Sequence, residues 1–209
     1  KKLGAHYVGP LTPHNAEVFV HSTKPLNSVE DLKGFKVRMG SAALNEIFAR
    51  MGAAPVFMPG GEVYEATQRG IIDGFEYVTP SVNWGMGFQE VTDYMYLSTS
   101  RAPTDAQALF VNQKEWDELP ADLQAIVTTA CFMVADQYYV EEIVRDAEAL
   151  KKFEEYGTKI LPVPEDIEAL LYETAEAYYA EQAASDPAFK EIYDSMQGWQ
   201  VISKQFNIQ

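Results

Sequence analysis

Between Ser28 and Tyr77 the chain runs twice from a short apolar strand into a helical pattern, and this alternation restricts it to few folds. Ser28 opens Ser-x-x-Asp, a capping-box-like start to a single turn that Gly34 stops. FKVRM then reads as a strand, and Ser41 caps the helix AALNEIFARM, whose Leu44, Ile47, Phe48 and Met51 share one face. Gly52 ends that helix. APVFM is the next strand, PGGE opens a helix from Glu62 to Arg69, and IIDGFEY is a third strand. A βαβα order of this kind predicts a parallel sheet with crossover helices. In such sheets ligands sit at the carboxyl ends of strands, beside helix N-termini that offer free N–H groups and a positive dipole. Arg38, Gly40, Gly60, Gly61, Glu76 and Tyr77 all fall at such ends.

The flanking segments fill out an α/β chain. Residues 3–9 and 17–22 read as strands separated by a loop, GPLTPHN. TPSVNWGMGF reads as a short helix or loop, and DYMYL and AQALFVN as strands. The stretch from Leu119 to Gly157 reads as one long helix with Pro120 near its start. TKILPV is a further strand, followed by two amphipathic helices rich in Tyr and Glu. No low-complexity linker divides the chain, so a two-lobed arrangement requires it to cross between lobes more than once. The first residue is Lys1, not Met, and an apolar strand follows at once; the expectation is that the chain begins inside a fold.

Composition excludes several partner classes. With 47% hydrophobic and 12% aromatic residues the chain is a folded globular protein. A formal net charge of −15 argues against nucleic acid or anionic membrane as a partner, since both require a basic surface. No apolar run approaches the ~20 residues needed to insert through a bilayer. The charge does not bar a small anion, because the Debye length is about 8 Å at physiological ionic strength and a cleft arginine acts at contact. Cys131 is the sole cysteine and sits among apolar neighbours, which fits a buried, inert thiol.

Arg38, at a strand end, presents a planar fork that matches a carboxylate; the alternative is an arginine paired with a neighbouring acid or solvated. Glu76 can receive a ligand hydroxyl, donate oxygens to Na⁺ or Ca²⁺, or pair with Arg38 when the site is empty. Tyr77 follows it. Asn83 and Trp84 suit the wall of a small-ligand pocket, and a core tryptophan explains them equally. His6, His14 and His21 lack zinc-site spacing. The chain contains no G-x-S-x-G, P-loop or complete G-x-G-x-x-G pattern, and no nucleophile–base pair can be nominated.

KPLNSVEDLKGFKVRMG, MGAAPVFMPGGEVYEATQRGIIDGFEY and WDELPADLQAIV together resemble the DctP-type solute-binding proteins of TRAP transporters, from about Val18 to the SMQGWQ segment. The resemblance implies a two-lobed, periplasmic-binding-protein-like α/β fold that closes over an organic acid. It puts Arg38 on the family's selectivity arginine. It also implies a periplasmic protein that captures a small carboxylate and delivers it to TRAP membrane permease subunits, without catalysis. Tyr77 and the glycines of PGGE look more like the branch that binds 2-oxo or 2-hydroxy monocarboxylates. Some members of that branch hold the acid beside a metal. Where an acidic metal ligand is expected, this chain has Arg101 and Ala102, so a bound Na⁺ or Ca²⁺ would have to draw on Glu17, Glu76 or Asp105. Arg101 could instead serve as a second cation for a dianion or sulfonate. By motif, one lobe comprises residues 18–103 plus 144–209. The other comprises 1–17 plus 104–143, with most of its N-terminal part having no counterpart here. A carboxylate-sensing module of a signalling system and a metal-assisted enzyme acting on organic acids are the alternatives.

Overall fold

The computed structural model describes residues 4–98 and 100–206. Its centre is a six-stranded sheet. β2 (Val18–Ser22), β3 (Lys36–Arg38), β4 (Ala54–Pro55), β5 (Gly74–Phe75), β6 (Tyr94–Leu97) and β8 (Lys159–Pro162) assemble in the order β4-β3-β5-β2-β6-β8. β3 pairs in parallel with β4 and β5, and β6 with β8, as the βα alternation predicts. The sheet is nevertheless mixed, because β2 runs antiparallel to both β5 and β6. A second, two-stranded antiparallel sheet joins β1 (Ala5–His14) to β7 (Asp105–Asn112).

Helices cover both faces of the large sheet. α1 (Ala42–Arg50) and α6 (Glu165–Ser185) bring Ile47, Phe48, Ile167 and Leu171 onto Phe19, Val37, Met39 and Tyr96. Ser41 caps α1, accepting from the Leu44 N–H at 3.2 Å. On the opposite face Phe153 of α5 (Ala121–Tyr156) packs on Val18 and Met95. Val63 of α2 (Val63–Gln68) packs with Ile72, Phe75 and Phe88. Each large side chain so buried contributes roughly 1.5–3 kcal/mol. α3 (Pro80–Gly85), α4 (Gln113–Glu118) and α7 (Pro187–Phe206) complete the chain. Among the described residues, no helix is long and apolar enough to cross a membrane.

Three segments differ from their sequence reading, one of them IIDGFEY, which keeps only Gly74–Phe75 as a strand. GPLTPHN is not a loop: β1 runs through it to His14, with register shifts between Tyr7 and Gly9 and between Pro10 and Thr12. A two-stranded ribbon has no central strand, so prolines cost it little. The strand expected over APVFM shrinks to two residues, since only Ala54 and Pro55 align with β3.

Beyond β5 the chain is anchored to the long helix. Thr79 and Ser81 both donate their hydroxyls to Glu142 Oε1, at 2.8 and 2.6 Å, and the Ser81 N–H donates to Asp146 Oδ1 at 2.9 Å. Glu142 is almost fully buried in this contact. Asp146 therefore caps α3 and Glu142 ties its first turn to α5, fixing the segment that follows Glu76 and Tyr77.

Candidate functional site

Strand direction determines which side chains meet. β3, β5 and β6 are mutually parallel, so Arg38, Glu76 and Arg101 all emerge at or beyond one sheet edge. Because β2 is antiparallel to its neighbours, its beginning lies at that same edge, and Glu17 immediately precedes it. Four charged groups thus converge.

Arg38 Nη1 donates to the Glu76 carbonyl at 2.8 Å and lies 3.6 Å from Glu76 Oε2. Its Nε donates to the Met58 carbonyl at 3.4 Å. Arg38 Nη2 makes no hydrogen bond among the described residues, and Arg38 lines the cleft. The Gly40 N–H donates to Glu76 Oε2 at 2.5 Å. A Cβ at Gly40 would come within 2.9 Å of that oxygen, so only glycine permits the approach. Arg101 Nη2 bridges the two acids, 2.8 Å from Glu17 Oε2 and 3.1 Å from Glu76 Oε1, while its Nη1 donates to the Val18 carbonyl at 3.0 Å. Burial pushes the Glu17 carboxyl above its ordinary range; Arg101 opposes that shift, and Glu76 and Asp105 add to it.

These groups line one cleft of about 1140 Å³. Ser41 places the α1 N-terminus beside Arg38, where the helix dipole favours an anion. Tyr77 forms part of the wall, edge-on to Phe88 at 5.1 Å, with the Arg38 guanidinium 5.9 Å from its ring centre. Gly60 lets that ring lie close, since a Cβ there would come 2.9 Å from Tyr77 Cε2. The far wall is aromatic: Tyr172 and Tyr179 from α6, and Phe189 and Tyr193 from α7. The sequence showed these tyrosines only as part of two amphipathic helices, because nothing local reveals which face a helix turns to a cleft formed by distant strands.

The structure brings together Arg38, Gly40, Glu76, Tyr77 and Arg101, with Glu17 and Asp105 on the same cleft. It places Asn83 and Trp84 elsewhere. Asn83 is fully buried and holds its own turn, accepting from the Val78 N–H at 3.2 Å, donating to the Val78 carbonyl at 3.0 Å and meeting His21 Nε2 at 3.1 Å. Trp84 packs edge-on against Phe153 at 5.2 Å. Trp84 packs from α3 toward α5, Asn83 turns toward β2, and neither lines the cleft. His21 sits among Phe75, Phe88 and Phe153, and burial lowers its pKa to about 3. The candidate metal ligands do not form a metal cage. Among the described residues no three His, Cys, Asp or Glu side chains gather closely enough to hold an ion, and Glu17 and Glu76 already share a guanidinium.

Residues 11–186 match the DctP family model, described as bacterial extracellular solute-binding protein, family 7. The chain belongs to that family. The monocarboxylate 2-oxoacid-binding periplasmic protein of Nostoc sp. strain PCC 7120 is 30% identical over 182 residues, 87% of this chain and 49% of that protein. The sialic acid-binding periplasmic protein SiaP of Vibrio cholerae is 29% identical over 88% of this chain and 52% of its own length. The chain therefore spans about half the length of the curated DctP relatives it matches. A TRAP periplasmic solute-binding protein from Pseudoalteromonas atlantica, solved with sodium and pyruvate, superposes with a TM-score of 0.88 at 31% identity, covering 98% of this chain and 62% of that one. The fold is that of the TRAP solute-binding proteins. A second neighbour, from Colwellia psychrerythraea with calcium and pyruvate, gives a TM-score of 0.85 at 29% identity, covering 99% of this chain and 65% of that one.

Proposed function

We propose that this DctP-family chain captures a small organic acid, a 2-oxo or 2-hydroxy monocarboxylate, for delivery to a TRAP-type permease outside the cytoplasmic membrane. The observation that carries the proposal is Arg38. Its Nε and Nη1 are held by carbonyl oxygens, and its Nη2 is left over at the floor of a cleft that also receives a helix N-terminus. One free arm of a rigid, permanently charged fork suits one carboxylate. The other three charged groups largely satisfy one another, which favours a monoanion over a dianion. Tyr77 closes the space beside Arg38 and favours a short acid. The 2-oxoacid-binding relative and the pyruvate-bound neighbours support the same ligand class. In this reading residues 18–103 plus 144–209 form the lobe that carries the arginines, and residues 1–17 plus 104–143 belong to the other lobe.

Thermal denaturation against a panel of acids tests this. Pyruvate and lactate should raise the midpoint most, and succinate and sialic acid little. A larger response to succinate, or none to any acid, would count against it.

A further inference from the structure

Glu17 and Glu76 face each other across a buried space, and a positive charge must lie between them. That charge is supplied by the chain itself. Arg101 Nη2 contacts one oxygen of each carboxylate, at 2.8 and 3.1 Å. The arginine is over nine-tenths buried and sits in a tight turn: the Arg101 N–H donates to Ser98 Oγ at 2.9 Å, and the next residue, Ala102, takes a left-handed φ of 44°. A left-handed alanine is a strained conformation that the surrounding structure must sustain. Nη1 is tied to the Val18 carbonyl, while the buried Nε finds no acceptor among the described residues. An arginine selected for packing alone would be expected to satisfy that donor. The position it occupies is between two acids and on the wall of the acid-binding cleft.

We infer that Arg101 is a built-in cation standing where a metal ion would bridge Glu17 and Glu76, so that this chain captures its acid without sodium or calcium. The pyruvate-bound structures of Pseudoalteromonas atlantica and Colwellia psychrerythraea proteins contain sodium and calcium respectively. A divalent ion between Glu17 and Glu76 would contact a guanidinium that is charged at every accessible pH. Calcium also needs six to eight oxygen ligands, and three of the four carboxylate oxygens, Glu17 Oε2 and both of Glu76, already contact Arg101 or Gly40. The inference rests on the acid-binding reading above, but it can fail separately.

Calcium titration of the acid-free chain by calorimetry, compared with Arg101→Asp, isolates the cation. Replacing the guanidinium by a carboxylate should raise calcium affinity at least tenfold over the wild type. Stoichiometric calcium binding by the wild type, unchanged in Arg101→Asp, would overturn the inference. If Arg101→Asp does not fold, the wild type decides: pyruvate affinity should stay within twofold when chelator removes calcium and choline replaces sodium. A tenfold loss under those conditions, restored by either ion, would equally overturn it. If no acid binds under any ionic condition, the acid-binding reading fails, and the calcium titration still decides the role of Arg101.

Discussion

Arg101→Met tests the charge arrangement most severely. The substitution keeps much of the side-chain volume and removes the guanidinium, leaving Glu17 without its counter-ion and Glu76 with only the 3.6 Å contact to Arg38. Their side chains are only 11% and 6% exposed, so water replaces the lost partner poorly. Removing one member of a buried ion pair costs about 3–5 kcal/mol. For a chain of this size that lowers the melting midpoint by on the order of 10 °C. The loss should depend on pH. Without Arg101, burial and repulsion from Glu76 hold the Glu17 carboxyl pKa in the folded state still further above its unfolded value. An acid raised in this way folds at no penalty below its unfolded pKa and loses stability as pH rises through the folded one. Urea denaturation should therefore show the full deficit at pH 8 and a much smaller one near pH 4. Adding Glu17→Gln to Arg101→Met should recover much of the stability at pH 8. A deficit that is independent of pH, or no deficit, would refute the claim that Arg101 neutralises this pair.

His21 makes a prediction of opposite sign. Its folded pKa of about 3 lies below the unfolded value, so the folded state resists protonation and stability falls as pH drops below about 6.5. The slope attributable to this group is about 1.4 kcal/mol per pH unit, and His21→Phe should remove it in urea denaturation run from pH 7 to pH 4. Gly40→Ala should force the new Cβ against Glu76 Oε2, displace that carboxylate and weaken pyruvate binding at least tenfold by calorimetry.

Much of the site was legible because parallel βα units place strand ends together. Arg38 and Glu76 needed only that rule, and they do meet, with Nη1 of one on the carbonyl of the other. The Glu17–Arg101 pair was not legible as a pair. It depends on β2 running antiparallel within the sheet, and no local pattern in EVFVHS reports direction. Asn83 and Trp84 misled because a polar amide beside an indole looks the same whether it faces a ligand or satisfies its own helix. The Val78 and His21 contacts that decide the matter come from segments brought together only by folding. The turn residues of GPLTPHN point to a loop, and pairing with a strand about a hundred residues away overrides them.

The central claim is that the free arm of Arg38 holds a carboxylate. Pyruvate at 100 times its dissociation constant should stabilise the chain by about 2.7 kcal/mol in urea denaturation. In Arg38→Ala that ligand-dependent gain should vanish. An equal gain in the two proteins would contradict the account, because the acid would then bind without the residue on which the site is built.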